Sequence, residues 1–204
     1  MNTETITTSL TQTAGSIAPK ELEGEELKIY TYPSPILKKV AKPVEKFDSE
    51  LKNLVKNMLF TMYQAPGIGL AAPQVGISKR IFVMDIDYDR EEVTNADGES
   101  CFKLKNFNPR VIINPVFKEK KGETLYEEGC LSVPGVYEKV KRASEVVLEY
   151  CDTDGNTHTL ETDGLLSVCL QHENDHLDGV VFLERLSTLK RQFLTQKYLK
   201  KKNR

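Results

Sequence analysis

The 204-residue chain contains three histidines, and two of them, His172 and His176, lie four residues apart in Gln171-His172-Glu173-Asn174-Asp175-His176-Leu177-Asp178-Gly179. On a helix of about 3.6 residues per turn this spacing puts both imidazoles on one face, the arrangement that grips a single metal ion. Glu173 sits beside the first histidine, where a carboxylate can move protons on a water held by such an ion. A lone His-Glu-x-x-His pattern also arises by chance in many helices. The rest of the chain must therefore supply a third ligand and a substrate site.

Leu165, Val168, Cys169 and His172 continue the inward face of the same helix. Cys169 reads as a small core or pocket residue, because His172 is too close along that ridge for it to be a third ligand. Cys130 is the better candidate. It stands in Tyr126-Glu127-Glu128-Gly129-Cys130-Leu131-Ser132-Val133-Pro134-Gly135, a glycine-flanked strand end where backbone can approach an ion closely. A thiolate with two neutral imidazoles leaves a fourth position for water. Cys101, in a polar stretch, and Cys151, at a hairpin edge, are not expected to ligate. A third segment, Gly67-Ile68-Gly69-Leu70-Ala71-Ala72-Pro73-Gln74-Val75-Gly76, has small residues that let backbone lie against a substrate, and Gln74 offers an amide donor. It lacks the Gly-Lys-Ser/Thr ending of a phosphate loop, Ala72 stands where a third glycine would be, and Pro73 removes a donor. Nucleotide binding is disfavoured.

The elements that must position these residues are legible as periodicities. Leu51, Leu54, Val55, Met58, Leu59 and Met62 recur at helical spacing over 49–63, with Asp48 or Ser49 as N-cap. Strands are predicted at 80–86 and 110–117, separated by a polar surface insertion at 88–108. Residues 145–151 and 157–161 flank Asp152-Thr153-Asp154-Gly155-Asn156, a hairpin signal. The histidine helix should start after Thr162 or Asp163 and stop near Gly179. A last helix over 185–201 should pack a stripe of Leu186, Leu189 and Phe193. Strands followed by a buried helix in this order predict an α+β fold.

Composition bounds the setting. The length suits one domain with tails, and no apolar run approaches the roughly 20 residues that cross a bilayer. Four cysteines form no paired framework in a chain this long, so reduced thiols and a cytoplasmic location are expected. Residues 1–19 are rich in Thr and Ser and contain no Lys or Arg, which does not fit a secretory signal; residues 1–26 read as a flexible extension. Residues 187–204 hold seven basic residues and no acid, leaving 21 basic against 30 acidic residues elsewhere, an acidic body of −9 with a tail of +7.

Taken in order, the three motif segments resemble those of the peptide deformylases. Gly67–Gln74 matches that family's Gly-x-Gly-x-Ala-Ala-x-Gln motif, Glu128–Ser132 its Glu-Gly-Cys-Leu-Ser motif, and Gln171–His176 its Gln-His-Glu-x-Asp-His motif. The resemblance covers residues 27 to 190. It implies a single α+β catalytic domain of mainly antiparallel strands around a central metal-binding helix, with a C-terminal helix whose end forms the basic tail at 191–204. It further implies removal of the formyl group from the N-terminal formyl-methionine of new polypeptides by metal-bound hydroxide. The family's metal ligands fall on Cys130, His172 and His176, its catalytic carboxylate on Glu173, and its oxyanion donors on Gln74 and the Leu131 backbone N–H. Its methionine pocket falls on Ile68, Gly69, Tyr126, Gly129, Leu165, Val168 and Cys169. The expected cofactor is one divalent ion, Fe(2+) by resemblance, with Zn(2+), Ni(2+) or Co(2+) also suited to the donor set. Gln171, Asp175 and Arg142 are expected to support the ligands, with an Asp175–Arg142 ion pair. Tyr137 stands where many members carry an arginine, and Lys141 where a proline is common.

Two rivals define the tests. A zincin-type peptidase would take its third ligand from downstream, where only Glu184 follows Gly179 as a candidate. A non-catalytic ribosome-binding module would have lost Glu173, Gln74 or a ligand, and all are present. Neither DNA nor membrane is an expected partner. The basic C-terminal helix permits docking on ribosomal RNA, because clustered Lys and Arg bind phosphate. His158 reads as a surface residue.

Overall fold

Asp48 opens the first long helix as an N-cap, its carboxylate accepting the Leu51 backbone N–H at 3.0 Å. In the computed structural model, which describes residues 10–13, 24–94 and 100–202, that helix is α1 (Ser49–Gln64). Strands follow as β2 (Gly69–Ala71), β3 (Ile81–Met84), β4 (Asp89–Thr94), β5 (Ser100–Lys105), β6 (Arg110–Lys121), β7 (Thr124–Glu128), β8 (Glu138–Arg142), β9 (Glu145–Cys151) and β10 (Thr157–Asp163). They lead into α2 (Gly164–Leu177), a 3₁₀ turn at Phe182–Arg185 and α3 (Thr188–Lys202). An early strand, β1 (Leu10–Thr13), pairs with β5. The rest of the expected extension, apart from residues 24–26, lies outside the described residues.

All recorded strand pairings are antiparallel, in a five-stranded sheet of order β10-β9-β6-β3-β2, a three-stranded sheet β1-β5-β4 and the two-stranded β7-β8. The architecture is the α+β one expected. Strand β3 shows why the large sheet needs a helix on each face. Its four residues are all buried, and successive strand side chains point to opposite faces. Ile81 and Val83 join Leu51, Val55, Met58 and Met62 of α1. Phe82 and Met84 join Cys169, Leu170 and Leu177 of α2, with Val146 and Leu148 of β9. Each large apolar side chain so buried contributes about 1.5–3 kcal/mol.

Helix α2 ends where Gly179 turns the chain with φ +73°, in the left-handed region, and a Cβ there would stand 2.6 Å from the Lys38 carbonyl oxygen. Only glycine satisfies both conditions, so the stop read from sequence is also a docking contact. A third apolar cluster gathers Leu37, Val133, Val136, Val140, Val181, Phe182, Leu183 and Tyr198. It holds the turn after β7, and the 3₁₀ segment, against the body.

Three expectations change. The polar insertion at 88–108 contains a hairpin, β4 with β5, whose base is tied down by the buried Asp85. That carboxylate accepts Tyr63 Oη at 2.6 Å and the Asn108 N–H at 2.8 Å. The last helix starts at Thr188 rather than 185, because Phe182–Arg185 winds as 3₁₀. Only part of its expected stripe packs: Leu189 and Phe193 are 79% and 65% exposed, while Leu186 lies against the third cluster together with Leu194, Tyr198 and Leu199. The periodicity was real, but the body is met by the neighbouring face.

Candidate metal centre

Helix α2 brings His172 and His176 together with ring centroids 5.1 Å apart. Cys130 reaches them from the turn after β7, its Sγ 3.3 Å from His176 Nε2. The donor atoms of Cys130, His172 and His176 all lie within 4.8 Å of one another. A tetrahedral ion with bonds of about 2.0–2.3 Å needs donors roughly 3–4 Å apart, so these three fit one ion. The third candidate donor lies upstream of the helix, where the cysteine motif places it and a zincin-type site would not.

Electrostatics prepare the donors. Glu128 Oε2 lies 2.7 Å from His172 Nδ1. A carboxylate accepts, so Nδ1 carries a proton and Nε2 is the atom left to face the cluster. In the metal-free protein burial opposes ionisation of Cys130, but the charge of His176 and hydrogen bonds from both histidines outweigh it and bring the thiol down to about 5. Burial likewise opposes a charged His172, yet Cys130 and Glu128 hold that ring well above its ordinary value. Both shifts favour the thiolate form of Cys130, the form of the side chain that binds a metal ion.

A buried row of charges backs the ligands. Arg142 places Nε and Nη2 on the two oxygens of Glu128 at 2.7 and 2.9 Å, and Nη1 on Asp175 Oδ2 at 2.6 Å. The expected Asp175–Arg142 pair is therefore present, and Arg185 joins Asp175 from the other side at 2.9 and 2.5 Å. Gln171 seals the neighbouring turn: its Oε1 accepts the Ala143 N–H at 3.0 Å and its Nε2 donates to the Ala143 carbonyl at 2.9 Å. These bonds let polar side chains sit inside a core without orphaned groups.

Glu173 is treated differently. It is buried, and its Oε2 has no hydrogen-bond partner among the described residues. Burial pushes its carboxyl up to about 7 in the metal-free protein, against the lowering pull of His172 and His176. Gly69 backs onto it, and a Cβ at that position would stand 2.8 Å from Glu173 Cδ. Gln74 sits on the 3₁₀ turn Ala72–Val75. Its Oε1 accepts the Ala71 N–H at 2.8 Å, which fixes the amide so that Nε2 faces Ser132 Oγ at 3.2 Å and Cys130 Sγ at 3.6 Å. Leu131 follows Cys130 in the same turn, and a Cβ on Gly67 would come within 2.7 Å of Leu131 Cδ1. The glycine loop and the cysteine turn are thereby pressed together.

Beside these groups opens a cleft of about 420 Å³. Ile68, Gly69, Tyr126, Gly129, Leu165, Val168 and Cys169, all seven residues expected to hold substrate, line it, together with Gln74, Cys130, Leu131, His172 and Glu173. Tyr137 lines the rim and leaves Gly129 no room for a side chain, since a Cβ would lie 2.6 Å from its ring. His158 is remote, on the surface with Asp152 at 2.7 Å. Sequence reading left Glu128 without a role of its own, although it opens the Glu-Gly-Cys-Leu-Ser motif two residues before Cys130. Ser132 closes the Glu-Gly-Cys-Leu-Ser motif but was given no role, and Arg185 carried no local signal.

The profile of the polypeptide deformylase family matches residues 26–192. A peptide deformylase of Chromobacterium violaceum is 51% identical over 175 residues, covering 86% of this chain and 95% of the relative. One from Neisseria gonorrhoeae is 50% identical over the same shares. Among solved structures, a peptide deformylase from Legionella pneumophila superposes with a TM-score of 0.75 at 42% identity, covering 87% of this chain and 96% of that one. One from Synechococcus elongatus, in complex with actinonin, gives 0.74 at 36% identity over 92% and 93%.

Proposed function

The chain belongs to the polypeptide deformylase family, and from that premise we propose that it hydrolyses the formyl group from the N-terminal formyl-methionine of newly made polypeptides. The observation that carries the reading is the convergence of Cys130, His172 and His176 within 4.8 Å, at a cleft that also holds Glu173 and Gln74. Residues 27–190 are the catalytic unit in this reading.

Cys130, His172 and His176 would hold one divalent ion, which would supply Lewis acidity and lower the pKa of a water to near neutral. We assign Fe(2+) as the native ion on family resemblance, with Zn(2+), Ni(2+) or Co(2+) able to occupy the same donors. Glu173 takes the proton of the attacking water on Oε2 and returns it to the departing amine nitrogen. A carboxyl raised toward neutrality suits both directions of transfer. The Gln74 Nε2 amide and the Leu131 N–H stabilise the charge that grows on the formyl oxygen. Losing one such donor typically costs about 10²–10³ in rate. The methionine side chain lies against Ile68, Gly69, Tyr126, Gly129, Leu165, Val168 and Cys169.

The protein works in the cytoplasm on this reading, and the basic face of α3 docks it on the ribosome where new chains emerge. No described helix is long and apolar enough to cross a membrane. The test is formate release by anaerobically purified protein from a formyl-Met tripeptide and from a blocked peptide cleavable only internally, with metal analysis of the same sample. Release from the first substrate alone supports the reading, and silence on both overturns it. Actinonin, bound in the Synechococcus elongatus relative, is expected to compete for the same cleft.

A further inference from the structure

Four charged side chains run in a row from the metal centre to the surface: Glu128 on His172, Arg142 on Glu128 and Asp175, and Arg185 on Asp175. The first three are sealed, with side chains 4–6% exposed, while Arg185 is 47% exposed. The row balances two carboxylates against two guanidinium groups. Without Arg185, Glu128 and Asp175 would share one guanidinium, Arg142, as their hydrogen-bonded partner where water scarcely reaches, and a buried charge short of compensation is costly. Asp175 would then draw Arg142 toward itself and loosen the two-pronged hold on Glu128. Glu128 is the group that orients the His172 ring, so the disturbance ends at a ligand.

We propose that Arg185 is a positioning residue for the metal centre: it neutralises Asp175, so that Arg142 stays committed to Glu128 and Glu128 to His172. It touches neither substrate nor ion and acts through three intervening side chains. Arg185 closes the 3₁₀ turn Phe182–Arg185, three residues before α3 begins at Thr188, so the same contact ties the departure of that helix to the centre. The inference rests on reading Cys130, His172 and His176 as ligands.

The test compares wild type, Arg185→Gln and Arg185→Lys after substitution with cobalt(II). It reads the visible ligand-field spectrum and the rate at which a chelator strips the ion, alongside kcat and KM for a formyl-Met tripeptide. Groups that bond a ligand directly are worth about 10–100-fold in metal affinity or activity. Arg185 stands further out, so Arg185→Gln should shift the spectrum, speed cobalt loss about 3- to 10-fold and lower kcat with KM little changed. Arg185→Lys keeps the charge but not the planar fork, and should fall between. A Gln variant with the wild-type spectrum and stripping rate overturns the proposal, as does a Lys variant no better than Gln. If Arg185→Gln does not fold, Arg185→Lys decides by the same two readings: a shifted spectrum with faster loss supports the role, and wild-type values overturn it. A wild-type chain that takes up no cobalt is a different result, which overturns the metal reading and this proposal with it.

Discussion

Helices α2 and α3 are nearly equal in length, 14 and 15 residues, and both are rich in polar side chains, yet they have opposite fates. On α2 every residue from Ser167 to Leu177 is buried, including Gln171, His172, Glu173, Asn174, Asp175 and His176. On α3 only Tyr198 is buried, and Leu189 and Phe193 face outward. Hydropathy accounts for part of this difference, since α3 is much the more polar helix, but six consecutive polar residues buried on α2 also need partners. Each α2 polar group except the Glu173 Oε2 end and His176 Nδ1 meets a complementary group from β7, β8 or a neighbouring loop. Those two exceptions lie in the chemical cluster itself. Helix α3 meets few such groups, with Lys190 on Glu138 at 3.0 Å and Lys202 on the Tyr32 carbonyl at 2.7 Å. A helix of charges can be core when its surroundings are charged to match.

The contrast can be broken or sharpened by substitution. The largest effect is expected at Glu173, the α2 carboxylate proposed to move the proton. Glu173→Ala should lower kcat for a formyl-Met tripeptide by about 10²–10⁴ while metal content, read by elemental analysis, stays at wild type. Retained activity would reduce Glu173 to a buried acid. Next comes Arg142, whose removal strands Glu128 and Asp175. Arg142→Leu should cost about 3–5 kcal/mol in denaturant unfolding, and a loss under 1 kcal/mol would show that the row is not what keeps α2 inside.

A third expectation concerns pH in the metal-free protein. The Glu173 carboxyl is raised in the folded state to about 7, while an unfolded glutamate titrates near about 4.3. The folded state therefore binds the proton more tightly, and this contribution to stability is complete below about 4.3 and lost as pH rises through about 7. Glu173→Gln should leave stability near wild type at acid pH and raise it by about 4 kcal/mol at pH 8, at roughly 1.36 kcal/mol per unit. Parallel stability curves from pH 4 to 8 would contradict this. The smallest effect is expected on α3: Leu189→Ser or Phe193→Ser should shift unfolding by no more than about 0.5 kcal/mol. A loss above 2 kcal/mol would mean that this face is covered in solution.

The metal site was readable wherever spacing alone decides geometry. Residues four apart on a helix share a face, so His172 and His176 were a pair before any fold was known. The three motif segments, taken in order, then brought Cys130, Gln74 and the cleft residues with them. Asp48 as a cap, Gly179 as a stop and the β9–β10 hairpin were equally local. What local pattern missed was long-range pairing. Glu128 opens the cysteine motif, but its bond to His172 spans 44 residues of sequence. Arg185 lies in a short 3₁₀ turn with no periodicity to mark it.

The α3 stripe shows the same limit from the other side. Leu186, Leu189 and Phe193 form a helical repeat in the sequence, yet Leu186 falls before α3 begins and packs, and nothing in the repeat says which side chains the body will meet. Sequence by itself determined which side chains could act together, because periodicity is a property of the chain. Only the tertiary structure decided which charges were neutralised, which carboxylate was left unpartnered and which apolar face stayed in water. Those outcomes depend on groups tens of residues distant arriving within 3 Å, a distance no local pattern encodes.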